Sequence, residues 1–124
     1  MSVLGDVREL IADAINIETT AKVVSFVPER IVPPMVIVTS GSPYVESGNT
    51  FGTFKTRFSV EIVSPTAANS TSTEKLDVLI EDCLVALSNS SGLSIEAVSK
   101  PYALEANNAT YLAASLSVTH NTAI

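Results

Sequence analysis

The segment from Thr53 to Val63 constrains the fold more than any other part of the sequence. Its side chains alternate with a period of two, with one series Phe54, Thr56, Phe58, Val60 and Ile62, and the other Lys55, Arg57, Ser59, Glu61 and Val63. Such an alternation over eleven residues is typical of a β-strand with one apolar and one polar face. The apolar face requires a second layer to cover it.

Further segments have the composition of strands. They are Lys22–Val27, Met35–Thr39, Ser94–Lys100 continuing after Pro101 into Tyr102–Ala106, and Thr110–His120. Prolines are expected to limit them: Pro28 ends the first, and Pro65 ends the strand that begins at Thr53. The β-branched run Met35–Thr39 fits a strand buried on both faces, or one with a face on a subunit contact. Asn107 and Asn108 are expected to form a tight turn before the last strand.

Two helices are predicted from apolar residues at three- and four-residue spacing. The first covers about residues 3–15, with Ser2 as its N-cap, and ends between Asn16 and Thr20. The second follows a capping box from Thr71 to Glu74 and runs to about Leu87. The sequence from Asn89 to Gly92 is expected to close it, with Gly92 at a positive φ.

Two polar segments are predicted to be mobile connections. Residues 40–52 are rich in Gly, Ser, Pro and Asn and are interpreted as a long exposed hairpin loop that carries Tyr44 and Val45. Residues 66–73 are interpreted as a polar linker. The order is then α-β-β-β-α-β-β. This order predicts one α+β domain over residues 1–124, a two-layer sandwich with two helices on one face of a mostly antiparallel sheet.

The charge balance narrows the possible partners. Seven Lys and Arg residues against thirteen Asp and Glu give a net charge of −6, which argues against binding duplex DNA through a basic face. Only 16% of residues are charged, whereas the chain has 16 Ser and 12 Thr residues. A surface with hydroxyls in place of charges is poorly protected against association, and so favours a protein that neighbours cover.

The sequence also predicts neither a membrane span nor secretion. The longest apolar stretch, residues 31–38, contains two prolines and is too short to cross a bilayer. The N-terminal residues have no basic region followed by an apolar one. A single cysteine cannot form an internal disulfide and fits the reducing cytoplasm.

Candidates for catalysis and metal binding are sparse. His120 is the single histidine, and Cys83 lies on the apolar stripe of the second helix. The neighbouring acids Glu81 and Asp82 point about 100° apart on a helix and do not converge. No phosphate-binding glycine motif occurs. The prediction is a protein without catalytic activity, cofactor or metal.

Five residues are candidates for a subunit or partner interface: Tyr44, Val45, Lys55, Arg57 and Glu61. Tyr44 and Val45 are apolar side chains that the predicted loop can bury when it binds a partner. For the three charged residues two interpretations stay open. They form either a solvated face with cross-strand pairing or a polar contact between subunits.

The whole pattern resembles a protein family. An amphipathic helix leads into a strand ending at Pro28, then Pro-Pro-Met-Val-Ile-Val, then Phe54-Lys-Thr-Arg-Phe-Ser-Val-Glu-Ile-Val. A polar linker opens the helix with Leu-Asp-Val-Leu-Ile-Glu-Asp-Cys-Leu, and a hairpin ends in Ala-Ala-Ser-Leu-Ser-Val-Thr. From about Val3 to Thr119 this is similar to the tail terminator, or tail completion, proteins of long-tailed bacteriophages.

The resemblance implies a virion structural protein without catalysis or cofactor. It implies a hexameric ring that caps the tail tube at its head-proximal end, stops polymerisation and joins the head. Its partners would be other copies, the tube protein and a head-completion or neck protein, assembled in the host cytoplasm. DNA would pass through without specific binding. The alternatives are another connector, neck or tube subunit, or a small non-viral ligand-binding regulatory module.

Overall fold

Two helices pack on a six-stranded, mostly antiparallel sheet, which confirms the predicted α+β class. The computed structural model describes residues 2–19, 21–26, 29–30, 32, 34–48, 52–67, 70–90, 92–106 and 109–123. In chain order the elements are α1 (Val3–Glu18), β1 (Lys22–Val24), β2 (Met35–Ser47), β3 (Thr53–Ala67), α2 (Ser70–Ser88), β4 (Leu93–Val98), β5 (Tyr102–Ala106) and β6 (Ala109–Ala123).

The long strands β3 and β6 form the centre of the sheet. Across the sheet the order is β1-β2-β3-β6-β4, and β5 lies beyond β4 along the same edge of β6. All pairs are antiparallel except β1 with β2. The segment interrupted at Pro101 is therefore two strands, both on β6, and the described order becomes α-β-β-β-α-β-β-β.

The caps of the helices follow local chemistry. The Ser2 hydroxyl accepts a hydrogen bond from the Gly5 amide at 2.9 Å, which confirms the predicted N-cap of α1. After α2, the Asn89 amide donates to the Val85 carbonyl at 3.1 Å, and Gly92 has φ +85°, as expected. Ser91 lies outside the described residues. Gly92 suits this position because a side chain would be strained there.

The predicted polar linker at residues 66–73 is wrong. Strand β3 continues through Ala67, and α2 already begins at Ser70, so Thr71 lies inside the helix and is not its N-cap. Pro65 does not end the strand because the pairing with β6 is irregular between Val63 and Ala67, and proline is tolerated at such an irregularity. Residues 68 and 69 lie outside the described part.

The predicted loop at residues 40–52 is also wrong over most of its length, because β2 extends through Ser47. Ser40 pairs with Phe58 and Val45 pairs with Thr56, so residues 41–44 form a large bulge opposite one residue of β3. Bulges accept glycine and proline inside a strand, which is why the composition of this segment resembles that of a loop. Residues 49–51 lie outside the description.

Other strand limits differ by a few residues. Strand β1 ends at Val24, three residues before the predicted end; Ser25 and Phe26 leave the strand, and Val27 and Pro28 are not described. Strand β6 is longer than predicted at both ends: Ala109 pairs with Ala106 of β5, and β3 pairs with β6 as far as Ala123. The predicted turn at Asn107 and Asn108 falls outside the described residues.

The main core lies between the helices and one face of the sheet. Its fully buried side chains include Ile11, Val36, Phe58, Ile62, Leu76, Leu87 and Leu116. On the opposite face Val24, Met35 and Ile37 form a second buried cluster. The run from Met35 to Val38 is therefore buried on both faces within a single chain, which is the first of the two predicted alternatives.

We expect Phe58→Ala to lower the free energy of unfolding by about 3–5 kcal/mol, because it empties a fully buried site between sheet and helices. The matched control is Phe26→Ala, since Phe26 is 61% exposed. The control change should stay within about 0.5 kcal/mol. Urea titrations followed by circular dichroism measure both. Equal losses in the two variants would contradict the position of the core.

Candidate subunit interface

The Arg57 side chain organises the face of the sheet that the helices leave uncovered. Its Nε and Nη2 atoms donate to the two carboxylate oxygens of Glu96 on β4, at 2.6 and 2.9 Å. Its Nη1 atom donates to Glu46 Oε1 at 2.6 Å and to the Pro43 carbonyl at 3.1 Å, both on β2. One guanidinium thus joins strands on opposite sides of β3, in the paired geometry that arginine forms with carboxylates.

Irregularities in the neighbouring strands make this arrangement possible. The bulge at residues 41–44 lies opposite Arg57 and turns the Pro43 carbonyl toward it. A side chain at Gly41 would place its Cβ 2.7 Å from Arg57 Cγ, so glycine is needed for this close approach. A second irregularity lies in β4 between Ile95 and Ala97, at the position of Glu96. The Glu96 carboxylate also accepts a hydrogen bond from the Ser117 hydroxyl at 2.8 Å.

The other predicted charged residues have partners on the same face. Lys55 lies 3.7 Å from Glu96. The Tyr102 hydroxyl donates to Glu61 at 2.6 Å, and burial together with this bond raises the pKa of Tyr102. The structure therefore shows the cross-strand pairing that one interpretation expected. A role of Lys55, Arg57 and Glu61 in a contact between subunits stays a prediction.

Tyr44 and Val45 differ in how far they are available to a partner. The Tyr44 ring packs edge-on against Phe58, with ring centroids 5.7 Å apart, and its hydroxyl accepts from Arg8 Nη2 at 2.8 Å. Tyr44 is therefore half-buried and tied to α1. Val45, its neighbour in β2, is 40% exposed.

Small side chains form a shallow groove beside Arg57. The groove has a volume of about 260 Å³ and lies between the bulge of β2 and strand β4. Its lining is dominated by hydroxyl groups and small residues, which include Gly41, Ser42, Ser59, Ala97, Ser99, Ser115 and Ser117. Groups of this size let another surface approach the sheet closely, whereas they give a small ligand few distinctive contacts.

The candidates for chemistry are separated from one another. Cys83 is fully buried in α2, and burial raises the pKa of its thiol to about 12. Burial lowers the pKa of His120, whose Nδ1 lies 2.8 Å from the Thr122 hydroxyl. Within the described ranges no three His, Cys, Asp or Glu residues are grouped so that they could hold a metal ion. Neither helix there is long and apolar enough to cross a bilayer.

Comparisons with known proteins give no family assignment. No protein-family model matches the chain, and no curated protein matches it either.

Two parts of this surface were not predicted. The sequence pattern placed Arg57 on the polar face of β3, but its partners Glu46 and Glu96 depend on bulges that period-two counting does not reveal. The second is the contact of Arg8 on α1 with Tyr44 on β2, which joins two elements far apart in the sequence. Neither long-range pairing has a local sequence signal.

We expect Glu96 to make stability depend on acid pH. Its hydrogen bonds with Arg57 and Ser117 lower the pKa from 4.5 to about 2. A carboxylate with a lowered pKa in the folded state stabilises the fold above its unfolded pKa, and this stabilisation is lost as the pH falls from about 4.5 to about 2. Urea midpoints measured across this range should fall less steeply in Glu96→Gln than in the natural chain.

The control for this titration is Glu105→Gln, because Glu105 is exposed on β5 and makes no ion pair among the described residues. The stability of Glu105→Gln should depend on pH in the same way as that of the natural chain. If Glu96→Gln and Glu105→Gln gave the same curve, the Arg57–Glu96 pair would contribute nothing to the acid response.

The Cys83 thiol should resist alkylation in the folded protein. Its burial and its pKa of about 12 leave almost no accessible thiolate at pH 8. With iodoacetamide, mass spectrometry should show labelling at the rate of global unfolding, and prompt labelling in urea. Fast labelling without denaturant would show that α2 opens locally.

Proposed function

We propose that the chain is the subunit of a ring that caps the tail tube of a long-tailed bacteriophage. The ring ends tube polymerisation and provides the surface to which the head is joined. The resemblance in element order, length and sequence texture supports this proposal, and so does the confirmed α+β arrangement. The ring is proposed to consist of six copies, located in the virion at the head-proximal end of the tail.

The observation that carries the proposal is the one-sided covering of the sheet. Both helices contribute to the core on one face, whereas the other face presents Ser59, Ser115, Ser117 and the Arg57 network. This face combines small groups with charges that are already paired inside the chain. A neighbour can cover it while these charged groups keep hydrogen-bond or ion-pair partners within the chain, which suits a contact between proteins.

A ring around DNA also agrees with the charge. A net charge of −6 and the absence of a basic patch in the sequence disfavour tight contacts with phosphates. DNA can then move through the channel without being held. The same net charge on every copy opposes association in free solution.

A ligand-binding module is the weaker candidate. The two pockets with described linings each have about 260 Å³, below the roughly 300–1,000 Å³ of most small-molecule sites. Both are also open to solvent. The alternative of another connector, neck or tube subunit belongs to the same class of function, and it would differ only in the position of the protein along the tail.

The test is tube polymerisation with and without the purified protein. Tail-tube protein from the same phage should form tubes that stop growing when the chain is added, and electron microscopy should show a ring at one end. Rings spaced along the tubes would indicate a tube subunit. Unchanged tube lengths with no ring at either end would refute the proposal. Bovine serum albumin at equal concentration is the control for crowding.

A further inference from the structure

A short stretch of β2, from Val38 to Ser40, has an open edge. On one side β2 pairs with β3, and on the other β1 covers only Met35 to Ile37. Beyond Ser40 the bulge at residues 41–44 interrupts the regular backbone. In the described part of the chain no strand pairs with Val38–Ser40 on the open side. Val38 itself is fully buried, so the backbone that an added strand can reach is that of Thr39 and Ser40.

Arg8 of α1 lies beside this edge and has no acidic partner among the described residues. Its Nη2 donates to Tyr44, whereas its Nε is shielded from solvent and has no hydrogen-bond partner among the described residues. No described carboxylate lies within 4 Å of the guanidinium. Arg57, in contrast, binds two carboxylates. A shielded guanidinium N–H without an acceptor is costly, and a carboxylate is the acceptor that best satisfies it.

The edge and the arginine share one pocket. It has a volume of about 260 Å³ and is lined by Arg8, Ser25, Phe26 and Val38–Ser40. The Ser25 hydroxyl already donates to Glu9, so Arg8 is the cationic group available to a ligand. Phe26 is 61% exposed and offers an apolar surface at the rim. The pocket therefore combines a strand edge, a cation and an aromatic ring.

We propose that this pocket binds an extended segment of another protein, which pairs with the edge of β2 at Thr39 and Ser40 and places a Glu or Asp carboxylate on Arg8. The backbone edge would supply affinity and the arginine would select the acidic side chain, as in other cases of strand addition. The site does not depend on the proposed capping function.

The source of the segment is another protein and not a second copy. Three of the acids on described strands, Glu46, Glu61 and Glu96, already accept hydrogen bonds within the chain. The fourth, Glu105, lies on β5, which pairs with the end of β6 remote from the level of Ser40. A second copy that brought Glu105 to Arg8 would have to be shifted along the strand direction, because Glu105 and Ser40 lie at different levels of the sheet.

The test uses the full chain with ¹⁵N-labelled arginine side chains and amides. The sequence has only three arginines, Arg8, Arg30 and Arg57, so each Nε signal can be followed. The probes are the peptide acetyl-Thr-Val-Glu-Val-Thr-amide and its counterpart with Gln in place of Glu. The Glu peptide should shift the Arg8 Nε signal and the amides of Val38–Ser40, while Arg57 Nε stays unchanged.

Two variants separate charge recognition from a structural effect. The Glu peptide should bind about tenfold more tightly than the Gln peptide, since hydrogen bonds to charged groups are the stronger ones. Arg8→Gln should abolish this preference, and Arg8→Lys should keep part of it. Arg30→Gln is the control and should keep all of it. Amide spectra of each variant without peptide establish that it is folded.

Three results would overturn the proposal: no shift at millimolar peptide, shifts away from the edge, or equal affinity for the two peptides. If the Arg8 and edge signals moved with protein concentration alone, a second copy would be the occupant. That result would refute the assignment to another protein. None of these results bears on whether the protein caps tubes, which the polymerisation assay measures separately.

Discussion

The antiparallel pairing of β3 with β6 is the constraint on which the other elements depend. It runs from Thr53 opposite Ala123 to Val63 opposite Ala113 without a break in register. Because side chains alternate along both strands, this register places Phe58, Val60 and Ile62 beside Val118, Leu116 and Ala114 on one face. That face is the floor of the core, and the helices pack where it is apolar.

The same register determines what the opposite face can do. Arg57 lies on it at the middle of the sheet, within reach of β2 on one side and β4 on the other. Strands β2 and β4 both have irregular backbones at this level, and their carboxylates converge on the guanidinium. Lys55, Arg57, Glu46 and Glu96 thereby form ion pairs within the chain, and Glu61 accepts a hydrogen bond from the neutral Tyr102 hydroxyl. Covering this surface with another protein costs desolvation free energy, but less than burying the same charged groups without partners would cost.

The sequence predicted the elements whose side chains follow a regular period, and it did not predict the positions where that period is interrupted. The two-residue period of β3 and the apolar stripes of both helices were sufficient to predict the arrangement of helices and sheet in two layers. Such patterns indicate directly which face of each element is buried. Residues 40–47 were assigned to a loop because Gly41 and Pro43 are typical of turns, but a bulge gives such residues a place inside a strand. The Arg8–Tyr44 contact joins residues 36 positions apart and has no periodic signal.

The edges of the sheet show how a chain with few surface charges can avoid uncontrolled pairing. Open strand edges invite association, and natural sheets restrain them with bulges, prolines and inward-pointing charges. Strand β2 has the bulge with Pro43, and β4 has an irregularity from which Glu96 points to Arg57. At the β1 side, β1 itself covers β2 as far as Ile37. Within β2, Val38–Ser40 lies between these protected parts, and there the nearby Arg8 favours a partner with an acidic side chain. Association at this edge would therefore be selective, since a strand without a carboxylate would leave the Nε of Arg8 shielded and without an acceptor.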